Sequence, residues 1–306
     1  MTGISVLLLT LNEEKNLPAC LEALSWCDDI WLVDSFSNDR TIEIARNAGV
    51  NILKRRFDSF AEQRNFAIDN APFRHEWILH LDADEICTTA LYQEMQTQIQ
   101  TESFDAFQVP SKMMFMGQWL KFSGMYPTYQ VRLGRHPKFR FKQVGHGQRE
   151  DIDPSRVGTL KQPYLHYSFS KGLDEWFEKH NRYATQEALQ ILDQANSARL
   201  DLPGLFAISD STRRRRILKQ LSFRMSFRPT LRFLYMYLLR LGMLDGKAGY
   251  RYCRLLAIYE SIIDMKVLDF SQRQTAAHSI SHAVTAAYKT SGLTDRQSSS
   301  GNRKAA

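Results

Sequence analysis

The chain has 306 residues, 43% hydrophobic and 24% charged, with a formal charge of +7; it is too apolar to be a disordered protein, and its length suits one sizeable core with an appendage or two small domains. Its four cysteines, Cys20, Cys27, Cys87 and Cys253, form neither a C-x-x-C pair nor a zinc-like cluster and read as buried thiols rather than disulfides. No run of about 18 apolar residues occurs, so no transmembrane helix is expected.

In chain order, Ile4–Leu9 is an apolar run suited to a buried strand. No basic residue precedes it and Asn12-Glu13-Glu14 ends it, which is not the pattern of a secretory leader. A helix near Leu17–Leu24, a strand Asp29–Val33, a helix near Thr41–Ala48, a strand Val50–Leu53, a helix about Phe60–Asn70 and a strand Trp77–Leu81 follow. This alternation predicts βαβ units, an α/β fold with a mostly parallel sheet flanked by helices. Ligands of such sheets bind in the crevice outside the carboxyl ends of the strands.

Residues 104–170 read as mixed, with strands at Ala106–Pro110, Tyr129–Leu133 and Arg140–Phe141, the composition of a second cleft wall. A helical pattern then runs from Leu173 to about Leu192. After about residue 204 the chain turns basic, with thirteen Lys and Arg against four acids up to Leu268, so most of the positive excess lies there. The tail from Ser271, rich in Ser, Ala, Thr and Gln, is expected to be largely disordered, with a short helix near His278–Tyr288.

Three polar clusters close the parallel strands: Thr10-Leu11-Asn12-Glu13-Glu14, Val33-Asp34-Ser35-Phe36-Ser37-Asn38-Asp39-Arg40-Thr41, and Leu81-Asp82-Ala83-Asp84. The last places two carboxylates at a strand end, where Mg²⁺ or Mn²⁺ is held by one or two carboxylates while phosphates and waters complete its shell. That chemistry suggests a nucleotide diphosphate. Asn12 also suits a turn, and Asp39 is read first as a cap for the helix at Thr41.

These motifs, with A-E-Q-R-N-F-A-I before the fourth strand, closely resemble the family 2 glycosyltransferases over about the first 90 residues. The resemblance implies a GT-A fold, a nucleotide-sugar donor, a divalent metal and transfer with inversion. H-G-Q-R-E at His146–Glu150, L-H-Y-S-F at Leu165–Phe169 and K-H-N-R-Y-A at Lys179–Ala184 resemble the lipopolysaccharide-core β-1,4-glucosyltransferase branch. That branch usually shows His-Glu where this chain has His146-Gly147-Gln148-Arg149-Glu150, a departure that leaves the base open. The resemblance implies Thr10, Asn12 and Glu13 around the nucleoside, Asp34 or Ser35 near uracil or ribose, and Arg64 and Asn65 at the nucleotide. A guanidinium at the crevice also suits a diphosphate on chemical grounds. Asp84 is the expected metal ligand, Asp82 its support or a partner for donor hydroxyls, and His166 a third ligand. Inversion needs a base to take the acceptor hydroxyl's proton; Glu150 is the first candidate, Asp151 the second and His146 an alternative.

The domain plan is a catalytic domain over 1–204, with a nucleotide-sugar half to about 105 and an acceptor half over 106–204, then a basic helical segment over 205–270 and a tail over 271–306. Aromatics and leucines alternating with arginines, as in Arg232–Arg240, fit a helix lying on an anionic membrane surface, and equally core helices with snorkelling arginines. The sequence therefore leads to a metal-dependent inverting hexosyltransferase using a UDP-linked donor and a lipopolysaccharide-core or other lipid-linked acceptor, cytoplasmic and peripheral at the inner face of the cell membrane. Two readings compete: a haloacid-dehalogenase-like phosphatase, whose Asp-x-Asp follows the first strand, and a non-enzymatic basic protein binding membrane or nucleic acid. No nucleic-acid motif accompanies the charge, and no specific nucleic acid is expected.

Overall fold

The alternating first third of the chain forms the parallel sheet it predicts. The computed structural model describes residues 3–101, 103–144, 147–197 and 227–290. Strands β1 (Ile4–Thr10), β2 (Ile30–Asp34), β3 (Asn51–Lys54) and β4 (Trp77–Asp82) run parallel in the order β3-β2-β1-β4, connected by helices α1 (Leu17–Ala23), α2 (Thr41–Asn47) and α3 (Phe60–Asn70). Ile4, Val6, Leu7 and Leu8 of the central strand are all buried because helices cover both faces of the sheet. Val6 and Leu8 pack with Leu17, Leu32 and Leu81, whereas Leu7 turns to the other face with Val33, Ala67 and Ile78. The Ser59 side chain accepts the Glu62 N–H to start α3, and Ala71, extended before Pro72, stops it.

The sheet then becomes mixed. Its further elements are β5 (Glu85–Ile86), α4 (Thr89–Gln98), β6 (Ala106–Phe115), β7 (Gln118–Trp119), β8 (Thr128–Arg135), β9 (Phe141–Val144), β10 (Gly147–Glu150), β11 (Val157–Thr159) and β12 (Tyr164–His166). The main path is β3-β2-β1-β4-β8-β6-β12-β5, with β8 antiparallel to both β4 and β6, and β9 with β10 forming a separate ribbon. This Rossmann-like parallel half with an antiparallel extension is a GT-A-like α/β architecture. The register opposes Thr10 to Asp34 and Leu9 to Asp82, so the three polar clusters open at one carboxyl edge.

Among the described residues three α-helices follow: α5 (Leu173–Ser197), α6 (Arg228–Leu234) and α7 (Gly246–Thr290). Two compact units divide the chain, Met1–Trp176 with Phe233–Arg254, and Phe177–Arg232 with Leu255–Ala306. The division therefore falls at residue 176 rather than 204, and part of the basic segment belongs with the sheet. Asp245 is the reason: its carboxylate accepts the backbone N–H groups of Lys121, Phe122 and Ser123 and the Ser123 hydroxyl, at 2.6–3.2 Å. Tyr252 adds edge contacts to Phe115 and Phe169. In the second unit Ala184, Ile191 and Ile263 form a small core, and Arg228 pairs with Glu260 at 2.6 Å. Helix α7 continues through 271–290, where the tail was expected to lack order; Ala, Gln and Lys cost a helix little. The Arg213–Arg216 run and residues 291–306 lie outside the described residues.

Candidate active site

Asp82 and Asp84 follow the fourth strand, the position expected of the transferase and not of the phosphatase alternative. Asp82 ends β4 and Asp84 lies in the turn before β5, and this turn gives them different partners. Asp82 Oδ1 accepts from Arg64 Nη2 at 2.8 Å, and its Oδ2 from Arg132 Nη2 at 3.0 Å. Arg132 also donates to Glu85, and the other Glu85 oxygen accepts the Asp82 backbone N–H at 3.0 Å. Arg64, Arg132 and Glu85 are 2%, 5% and 0% exposed and Asp82 33%, so two cations and two carboxylates neutralise one another with only Asp82 partly exposed. Burial favours neutral Asp82, but Arg132 and Arg64 outweigh it and hold this carboxyl below the usual range. Burial raises Glu85 against the pull of Arg132.

Asp84 faces a different partner. Antiparallel pairing of β5 with β12 aligns Glu85 with His166, and this register brings His166 Nε2 to 3.4 Å from Asp84 Oδ2. Burial works against protonation of His166, yet Asp84, Glu85 and Asp82 together raise its pKa. The expected three-ligand group is not drawn together. Among the described residues no three His, Cys, Asp or Glu side chains assemble to hold a metal, because both Asp82 oxygens are turned to guanidinium groups. Asp84 and His166, each about one quarter exposed, remain a two-residue donor set, which suffices for a cation completed by phosphates and water.

A cavity of about 480 Å³ opens beside Asp82, lined by Phe60, Arg64, Gln108, Tyr129, Gln130, Val131, Arg132, Phe141, Gln148, Arg149, Glu150 and His166. Amides, carboxylates and aromatic rings suit the hydroxyls and C–H faces of a sugar. Asp84 opens instead onto a neighbouring cleft of about 450 Å³ lined by Lys15, Asn16, Ala19, Ala83, Ile86, Tyr167 and Ser170, among others. His166 borders the first cavity and Asp84 the second, so their pair stands at the junction.

The remaining candidates separate clearly. The Thr10 hydroxyl donates to Asp34, which also accepts the Ser37 N–H and hydroxyl; Ser35 accepts from Gln63. Asn12, at φ 55°, donates its N–H to Ser37 and accepts the Asn38 N–H, joining the first two loops; Asn tolerates this left-handed backbone. Asp39 braces the start of α2 through the Thr41 N–H and hydroxyl, in agreement with its capping reading. Glu13 pairs with Lys171 at 2.6 Å and accepts from Asn16; burial raises its pKa against both. Asn65 is occupied by the backbone of Phe141, donating to its carbonyl at 2.8 Å and accepting its N–H at 3.0 Å, which ties β9 to α3. Glu150 reaches the polar cavity, whereas the exposed Asp151 pairs with Lys142 at 2.8 Å. His146 lies outside the described residues.

Sequence reasoning missed Arg132, Glu85, Gln148 and Lys171. Gln148 accepts from Arg64 Nη1 at 3.0 Å, closing the cavity wall across 84 residues of sequence. Glu85 carried a usable signal, an acid adjoining the Asp-x-Asp in a short strand. The others had none beyond residue type.

Residues 5–152 match the Glycosyl transferase family 2 model. The lipopolysaccharide core biosynthesis glycosyltransferase LpsC of Rhizobium meliloti is 26% identical over 204 residues, spanning 64% of this chain and 74% of that protein. An uncharacterized glycosyltransferase, RT0209, of Rickettsia typhi is 26% identical over 208 residues, 63% and 70% of the two chains. A crystal structure of S. aureus TarS 1-349 in complex with UDP aligns over 89% of this chain and 92% of that one, with 16% identity and a TM-score of 0.40. No described helix is long and apolar enough to cross a membrane. Over residues 5–152 this chain is similar to glycosyl transferase family 2, and it resembles the lipopolysaccharide core biosynthesis glycosyltransferase LpsC.

Proposed function

We propose that the protein is a metal-dependent inverting glycosyltransferase that moves a hexose from a UDP-linked donor to a lipopolysaccharide-core or other lipid-linked surface-glycan acceptor. The observation that carries this reading is the Asp84–His166 pair, 3.4 Å apart between a polar, aromatic-lined cavity and the cleft beside it. A Mg²⁺ or Mn²⁺ held there would neutralise charge on the departing diphosphate. The imidazole nitrogen, softer than the oxygen donors Mg²⁺ prefers, favours Mn²⁺ of the two. Asp82, fixed by its two arginines, has lone pairs left to accept donor hydroxyls. The acceptor oxygen bonds to the anomeric carbon as the bond from that carbon to the diphosphate oxygen breaks, and Glu150 takes the acceptor's proton.

The lipopolysaccharide-core acceptor is supported by the likeness to LpsC. Location at the inner membrane face is supported by an exposed apolar elbow over 234–244, flanked by Arg240, Lys247, Arg251 and Arg254. The test is a screen of nucleotide-sugars with Mn²⁺ and Mg²⁺, with and without core oligosaccharide. Metal-dependent UDP release that rises with acceptor and yields one anomer of inverted configuration is expected. Phosphate release from a phosphomonoester, indifferent to nucleotide, would instead favour the phosphatase.

A further inference from the structure

We propose that Arg132 is a positioning residue for transfer, one that fixes Asp82 toward the sugar cavity and sets the strand of Asp84 against the strand of His166. The inference rests on the transferase reading of that site. Arg132 lies in β8 between Val131 and Leu133, with both neighbours buried, so its guanidinium cannot leave for solvent. It touches three strands around the site, β4, β5 and β12. One Nη2 group donates both to Asp82 at the end of β4 and to Glu85 in β5, and the guanidinium lies over the Tyr164 ring of β12, 5.5 Å from its centroid. Tyr164 stands two residues before His166 in that strand.

Glu85 makes the arrangement directional. It binds Arg132 through one oxygen and the Asp82 N–H through the other, so both the backbone and the side chain of Asp82 belong to one closed set of hydrogen bonds. Arg64 takes the other Asp82 oxygen. The Nη2 group serves both carboxylates while the planar guanidinium lies on a ring face; a lysine ammonium has donors for the two carboxylates but no flat face to lay on Tyr164. Simple charge balance would need less: any cation, or removal of the Arg132 and Glu85 charges together, would serve. Such paired removal from an interior is often tolerated in folding.

That contrast supplies the experiment. Two variants, Arg132→Lys and the double variant Arg132→Met with Glu85→Gln, are compared with the wild type. Folding is followed by circular dichroism, Mn²⁺ affinity in the presence of UDP by electron paramagnetic resonance, and transfer by separate kcat and KM. The expected result is folded protein whose kcat falls at least about 100-fold in both variants, with a smaller change in donor KM, and whose Mn²⁺ affinity falls about tenfold in the double variant, as for loss of a group that orients a ligand. Transfer within threefold of wild type together with unchanged Mn²⁺ affinity, in either folded variant, would overturn the proposal and leave Arg132 a counter-ion. Wild-type protein that binds no Mn²⁺ with UDP and releases no UDP from any donor would instead overturn the transferase reading, and this inference with it.

Discussion

The carboxyl-edge crevice and the elbow between α6 and α7 use opposite physical devices within one compact unit. In the crevice, charge is paired and mostly buried: the buried Arg64, Arg132 and Glu85 surround Asp82, which alone of the four is partly exposed, and fixed charges hold each other's geometry. In the elbow, apolar groups are exposed among Arg240, Lys247, Arg251 and Arg254. Leu239 is 77% and Leu244 59% exposed, beside Leu238, Leu241 and Met243. The one acid among residues 233–254, Asp245, is spent on the backbone of 121–123. Under the proposed function the two regions would take different ligands: a charged small molecule that exchanges partners within a fixed set, against an apolar, anionic surface that covers what water now touches.

The largest effect expected is at Asp84. Replacement by Ala should lower transfer at least about 10³-fold and abolish Mn²⁺-dependent UDP binding, while the circular dichroism spectrum stays that of the wild type. Asp84 is outside the four-charge set, so its loss leaves no buried charge unpaired. Unchanged turnover would show that the crevice does not depend on this carboxylate. Next comes the base. Glu150→Gln should cost about 10²- to 10⁴-fold in kcat with donor binding retained, measured by steady-state kinetics and calorimetry. Asp151→Asn should stay within about twofold, because Asp151 is spent on Lys142 at the surface. The reverse result would move the base by one residue.

How much of this was legible depends on how local each cause is. Burial on both faces of the parallel strands writes itself into continuous apolar runs, and so β1, β2 and β4 were readable, as was the span of α3. Asp84 and His166 were readable as candidates by residue type; that they meet depends on β5–β12 pairing across 82 residues. Arg132 was not readable at all. In Tyr129-Gln130-Val131-Arg132-Leu133 it alternates as an exposed residue would, and its partner Glu85 is 47 residues earlier. Glu150 and Asp151 are equivalent in composition and differ only because β10 pairs Glu150 with Phe141 and ends there. Arg232–Arg240 has helical spacing, and beyond it Leu241 adopts φ 59°, which ends the helix after a π-helical turn and presents the leucines on both sides of the bend.

The elbow's side of the comparison is tested with vesicles. Leu239→Ser and Leu244→Ser should each lower binding to vesicles of anionic lipid about tenfold in co-sedimentation, since each leucine has roughly 1.5–3 kcal/mol of transfer free energy to contribute when covered. Binding should also weaken with salt and be poor on zwitterionic vesicles, because Arg240, Lys247, Arg251 and Arg254 supply the electrostatic share. Folding should change by no more than about 0.5 kcal/mol for such surface positions. Equal affinity of wild type and both variants would remove the membrane role of the elbow and leave the crevice reading untouched.

The smallest effect expected joins the two regions. Asp245 accepts four donors from Lys121, Phe122 and Ser123, and this is the link by which a segment 120 residues later is held to the sheet unit. Asp245→Ala should cost about 1.5–3 kcal/mol in urea denaturation, the scale of hydrogen bonds to a charged acceptor. It should loosen the elbow before the crevice: faster amide exchange at 121–123 and 242–248, weaker vesicle binding, and UDP binding close to wild type. Asn at this position keeps an acceptor oxygen but not the charge, and should fall between the two. If UDP binding falls in step with vesicle binding, the two regions share one mechanical unit, and the elbow is part of how the site is held rather than only of where it is delivered.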